Sequence, residues 1–168
     1  MAGFMFGVDP TRVDTVRAFA IGTECIDPRT NDFQGNTIRY VKAGSAIALG
    51  DALKVKSDET EEPNVLIPTS AIQQPVVGIA HVAIASGSFG WVTVKGRVAS
   101  AKAAASTAVD ARLGSSATAG TLATLTQADS NYTSNDYFEL LAVASGVGVV
   151  ALDANDSNGA NIEVFIGQ

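Results

Sequence analysis

The sequence predicts an all-β chain: a small β-barrel or β-sandwich of short antiparallel strands, with an extended N-terminal arm and at most one or two short helices. Three observations carry this prediction. About eight to ten runs of strand vocabulary recur at hairpin spacing over residues 37–168. The stretch from Val76 to Ser100 reads as two strands joined at Ser86-Gly87-Ser88. Near the C-terminus, Ile162, Val164 and Ile166 alternate with Glu163 and Phe165, the period of a strand paired into a sheet.

The central hairpin is the strongest local signal. In its second strand Val92, Val94 and Val98 alternate with Trp91, Thr93, Lys95 and Arg97. Folding about Gly87 sets Val82 opposite Val92, Ala80 opposite Val94, Val76 opposite Val98 and Gly78 opposite Gly96. His81 then falls opposite Thr93, on the face that carries Trp91, Lys95 and Arg97. One face is aliphatic and suits a core; the other is mixed and suits water or a partner.

Residues 1–36 read as an arm or irregular lead-in, and residues 37–168 as the β-rich domain. Phe4 and Phe6 sit among small residues, and exposed aromatics on such an arm point to docking on a neighbour. Asp9-Pro10 offers a cap and first-turn proline for a short helix over 10–20, with Val13, Val16 and Ala20 on one stripe. Asp27 to Asn36 is rich in turn residues. Ile38 and Tyr40 share one strand face, Arg39 and Val41 the other. Gly50-Asp51 marks a turn between two short strands. Ser57 to Asn64, with Asp58, Glu59, Glu61 and Glu62, reads as a solvated acidic loop, because adjacent carboxylates without a scaffold repel rather than converge on a metal.

Ala101 to Leu113 votes for a helix by alanine propensity, yet Ser106-Thr107, Val109 and Leu113-Gly114 equally suit a strand and turn. Asp110-Ala111-Arg112-Leu113 echoes Asp51-Ala52-Leu53, an echo too short to establish a repeat. Thr118 to Thr126 has strand density, residues 129–136 are loop, and 137–144 suit strand or a helical turn. The last strands are Gly148–Leu152 and Asn161–Ile166, joined by a polar turn.

The chain of 168 residues is long enough for one domain with a real core. Its charged fraction of 17% is below the roughly 25% of ordinary soluble domains, as expected when surface is hidden against other copies or partners. A formal charge of -6 with scattered basic residues disfavours nucleic acid as a direct partner. Cys25 is the only cysteine, which excludes an internal disulfide framework, and it reads as an inert small residue at a partly buried position. The N-terminus lacks the pattern of a signal peptide, and the apolar run 140–152 is broken by Ser145, Gly146 and Gly148. Synthesis inside the cell without membrane insertion is the expectation.

No reaction is spelled out. His81, the single histidine, lies in an apolar strand and reads as structural or interfacial, since no orienting group or nucleophile elbow accompanies it. Asp153, Asn155 and Ser157 open like a calcium loop, but Asn158 and Val164 stand where Gly and Glu belong. Asn131-Tyr132-Thr133 and Asn155-Asp156-Ser157 match a glycosylation pattern and, without a secretion signal, read as ordinary loops. No glycine-rich phosphate cradle is present, so no cofactor is expected. Trp91 beside Lys95 and Arg97 suits a protein interface or packing under a neighbouring segment, with carbohydrate binding or an adhesin role as the alternative function.

Several segments together resemble the small decoration, or cement, proteins of tailed-phage heads. They are Ile38-Arg39-Tyr40-Val41-Lys42-Ala43-Gly44, Leu49-Gly50-Asp51-Ala52-Leu53, Pro75-Val76-Val77-Gly78-Ile79-Ala80, Gly87-Ser88-Phe89-Gly90-Trp91-Val92, Val94-Lys95-Gly96-Arg97-Val98, Ala117-Thr118-Ala119-Gly120 and Val164-Phe165-Ile166. The resemblance implies a β-rich structural protein without an active site, a homotrimer bound to the major capsid protein on the outer capsid surface of a virion. It supplies no catalytic residues. The interface candidates are Phe4, Phe6, Arg12, Arg17, Trp91, Lys95 and Arg97.

Overall fold

The structure is a computed structural model, and it describes residues 8–27, 35–55, 64–66, 76–116, 118–124, 148–152, 154 and 160–167. Eleven strands lie among them: β1 (Val13–Asp14), β2 (Glu24–Asp27), β3 (Asn36–Ala43), β4 (Ala52–Val55), β5 (Asn64–Leu66), β6 (Gly78–Ala80), β7 (Phe89–Ala103), β8 (Arg112–Ser115), β9 (Leu122–Thr124), β10 (Gly148–Ala151) and β11 (Ala160–Gly167). No described residue is helical. The chain is all-β, as its sequence predicts.

β7, fifteen residues long, organises the rest. Its first half pairs with β3 and β6, and β6–β4–β5–β3 closes a ring back onto it. Its second half pairs with β11 and β9, and β11–β10–β8–β9 closes a second ring. The two rings have the same connectivity. In each, the first strand runs parallel to the third, and the second pairs antiparallel with the third and fourth. β7 is thus the last strand of one small barrel and the first strand of the next.

Each barrel has its own aliphatic filling. Val41, Ala43, Ile47, Leu53, Ala80, Ile84, Val92 and Val94 fill the first. Val98, Ala101, Ala103, Leu113, Leu122, Val149, Ala151, Ile162, Val164 and Ile166 fill the second, and Ala52 and Ile79 of the first barrel join them. Short β-branched and alanine side chains suit a barrel this narrow, where larger groups overfill the interior.

A recurring turn sets the corners. In Ala20–Thr23, Ala48–Asp51, Ala85–Ser88, Ala108–Ala111 and Thr118–Thr121 the fourth N–H donates to the first carbonyl at 3.0–3.2 Å. The third residue of each, Gly22, Gly50, Gly87, Asp110 and Gly120, has positive φ, the type II signature. A strand begins directly after every one of them.

Several expectations change. The central hairpin pairs Ile79 with Thr93 and Ala80 with Val92, two residues from the expected register. After Ala80 the chain leaves β7 so that Ile84 pairs with Ile47, which makes 81–88 a full corner rather than a tight turn. A slip of two keeps every side chain on its face. The expected helix over 10–20 is absent. Asp9 Oδ1 instead accepts from the Thr11 amide at 2.9 Å, and Val13–Asp14 pairs with Phe89–Gly90. Within residues 8–27, Val13–Asp14 and Glu24–Asp27 join the sheet and Phe19 and Ile21 pack on the core, while Asn36 is the first residue of β3. Over 101–113 the strand-and-turn reading holds rather than the helix: β7 runs to Ala103, turns follow and β8 begins at Arg112, with Ala101 and Ala103 filling the second barrel. The acidic residues 58–62, the calcium-like loop and both glycosylation patterns lie outside the described residues.

Candidate functional site

The outer face of β7 divides in two. Over its first half it is closed by the N-terminal segment, where Val8, Phe19 and Ile21 pack on Cys25, Ile38, Tyr40, Phe89 and Trp91. The Phe19 ring meets Trp91 and Tyr40 edge-on at 5.3 and 5.2 Å, and Tyr40 stacks on Phe89 at 6.0 Å. Trp91 is 0% exposed, so the face expected to meet a partner or a sugar is the chain's own interior. Its indole N–H has no hydrogen-bond partner among the described residues.

Polar side chains pin the same segment down. The Tyr40 hydroxyl donates to Asp14 Oδ2 at 2.9 Å and accepts from the Ala18 amide at 3.2 Å. Arg12 pairs with Asp14 at 2.6 Å, and Arg17 is exposed. His81 Nε2 lies 2.5 Å from the Pro10 carbonyl and Nδ1 lies 3.3 Å from the Thr93 hydroxyl. Since a carbonyl only accepts, the Nε2–H donates to it. Burial, then the Asp27 charge, pushes the Cys25 thiol up, which keeps it protonated and a poor nucleophile. Burial is also the main cause of the rise at Tyr40. These groups are spent on holding the fold.

Over the second half of β7 the outer face is open. Cross-strand pairing aligns Arg97, Phe165, Val150 and Arg112 in one row across β7, β11, β10 and β8. Phe165 is 43% exposed, and both arginines are exposed. Arg97 holds Glu163 through Nε to Oε1 and through Nη2 to Oε2 at 2.6 Å, which lowers the Glu163 carboxyl below its ordinary range. Lys95, exposed, stands one step along β7 opposite Thr37. An aromatic ring between guanidinium groups can stack on a partner's side chains while the cations take carboxylates.

Of the sequence-derived candidates, the structure brings together Lys95 and Arg97, encloses Trp91, and puts Arg12 beside Asp14 on the N-terminal segment. Phe4 and Phe6 lie outside the described residues. Sequence reading missed Phe165 and Arg112 as surface residues. The signal was there for Phe165, because the alternation that buries Ile162, Val164 and Ile166 turns Phe165 outward with Glu163. Among the described residues no group of three or more His, Cys, Asp or Glu could hold a metal, and no helix is long and apolar enough to cross a membrane. No family model and no curated protein matches the chain.

Proposed function

We propose that this chain is a structural protein of a tailed-phage head, binding the major capsid protein on the capsid exterior at capsomer junctions and stabilising the shell. The observation that carries the reading is the use made of polar side chains. Asp14, Asp51, His81 and Asn36 each bind a distant segment of the same chain. The exterior offers a sheet face with an exposed aromatic ring among cations. The segments that resemble decoration proteins supply strands and corners of the two barrels rather than a reactive site. Repeated over symmetric copies, modest contacts of this kind add up to firm attachment.

The test is co-sedimentation of the purified chain with expanded capsids, read with the capsids' thermal stability. Saturable binding with a higher disruption temperature is expected; no binding to any maturation state overturns the reading. Deleting residues 1–7 tests the arm, with occupancy expected to fall. A cut at residue 20 is unsuitable because it removes β1 and Phe19.

A further inference from the structure

The duplication makes every place in the first barrel answer to one in the second. The corner Ala48–Asp51 answers to Ala108–Ala111, and the cross-strand row Ala52–Ile79–Thr93–Ile38 to Arg112–Val150–Phe165–Arg97. The first row is closed over, at 0%, 0%, 3% and 1% exposure. The second lies open.

What closes the first row's near end is the neighbouring barrel. Ala52 and Ile79 belong to the second barrel's apolar cluster. The connection between β8 and β9 folds over the first corner: the Gly120 carbonyl accepts the Ala52 amide at 2.8 Å, and Gly120 packs on the Asp51 carboxylate so closely that no Cβ fits. One barrel's second connection thus caps the preceding barrel's corner.

The first barrel's counterpart of that connection joins β4 to β5, and its sequence is Lys56-Ser57-Asp58-Glu59-Thr60-Glu61-Glu62-Pro63. The second barrel's counterpart of the capped corner has Arg112 in place of Ala52; at the far end of the row Arg97, held by Glu163, takes the place of Ile38. By sequence the β4–β5 connection carries four carboxylates, Asp58, Glu59, Glu61 and Glu62, and the answering corner of the second barrel presents the exposed Arg112. Copies of a chain with net charge -6 repel in general, so opposite charge at this contact selects where they meet.

We propose that the row Arg112, Val150, Phe165 and Arg97 of one molecule receives the acidic β4–β5 connection of a second copy, repeating between molecules the contact that joins the two barrels within one. The contact is head-to-tail, so it closes into a ring or runs on as a filament.

Sedimentation velocity of the full chain over a concentration series tests this without capsids, so its failure leaves capsid binding standing and the reverse also holds. Wild type is expected to self-associate, more weakly as salt rises. Arg112→Glu and Phe165→Ser are each expected to weaken association at least ~10-fold. Both residues are exposed, and an unchanged Trp91 emission spectrum confirms that each variant folds. Combining Arg112→Glu with Glu61→Lys and Glu62→Lys is expected to restore association to within a few-fold of wild type. A wild type that stays monomeric throughout, or association unmoved by Arg112→Glu, overturns the proposal. A charge swap that restores nothing overturns the acidic connection as occupant.

Discussion

The Lys102 ammonium donates to the Asp51 carboxylate across 2.6 Å, joining the second half of the shared strand to a corner of the first barrel. Asp51 is nearly enclosed, its side chain 4% exposed, and its other oxygen accepts the Ala48 amide at 2.7 Å. The carboxylate closes its own turn and fixes the neighbouring barrel with the same group.

Removing either partner leaves the other short of its match. Lys102→Met is expected to lower stability by ~2 kcal/mol and Asp51→Ala by ~3 kcal/mol, the latter also freeing a turn amide. The double variant should fall short of the sum by ~1 kcal/mol, because one interaction is lost twice. Urea unfolding of the four proteins measures the cycle.

Two glycines separate backbone strain from crowding. Gly22 and Gly120 have φ of 86° and 70°, and a Cβ at Gly22 meets nothing, whereas one at Gly120 runs into the Asp51 carboxylate. Gly22→Ala is expected to cost ~1 kcal/mol, the penalty of the left-handed region alone. Gly120→Ala should cost at least ~3 kcal/mol, since displacing a buried ion pair is added. Thermal unfolding distinguishes them.

Trp91 is the only tryptophan, so its emission reports the aromatic cluster under the N-terminal segment. Emission is expected to be blue-shifted when folded and to move red on unfolding. Trp91→Ala should cost ~4 kcal/mol by opening a cavity. Trp91→Phe is expected to cost only ~1 kcal/mol, because it also deletes an N–H that burial leaves without an acceptor.

Stability should respond to pH at both ends. Glu163 has its carboxyl lowered by Arg97, so its contribution is present above the ordinary value of 4.5 and is lost as pH falls through the folded value. Arg97 is half exposed, so Arg97→Gln should lower stability at neutral pH by no more than ~1 kcal/mol and flatten the acid limb, the two proteins converging at acid pH. Tyr40 is raised by burial, so its contribution is present below its ordinary value of 10.0 and is lost as pH rises through the folded value. Tyr40→Phe is expected to flatten the alkaline limb of the urea midpoint against pH.

The sequence declares strands more readily than it declares their arrangement. Alternation in β7 and β11 is visible because each strand has one face toward aliphatic core. Packing of a neighbouring segment over Trp91 is one of the readings the sequence leaves open; which residues cover it is not legible, since Phe19 and Ile21 meet it through folding and share no period with it. The repeat hides for a similar reason. Asp110 looks like the partner of Asp51 but takes the place of Gly50, at positive φ, while Leu113 answers to Leu53. Corners impose backbone conformation rather than side-chain identity, so glycine and aspartate stand in for each other and the spacing drifts between barrels. The turn series Ala20-Ile21-Gly22, Ala48-Leu49-Gly50 and Ala85-Ser86-Gly87 shows the recurring corner in its letters but not the duplication, since the second barrel's corners read Ala108-Val109-Asp110 and Thr118-Ala119-Gly120.

A wall common to two rooms cannot be taken down from one side. Phe89–Ala103 serves both closures, so stripping it from either leaves the other with unpaired edges along its whole height. The molecule has no spare half: it is expected to melt as a unit, and a gene fragment encoding one ring without that strand is expected to yield no stable piece.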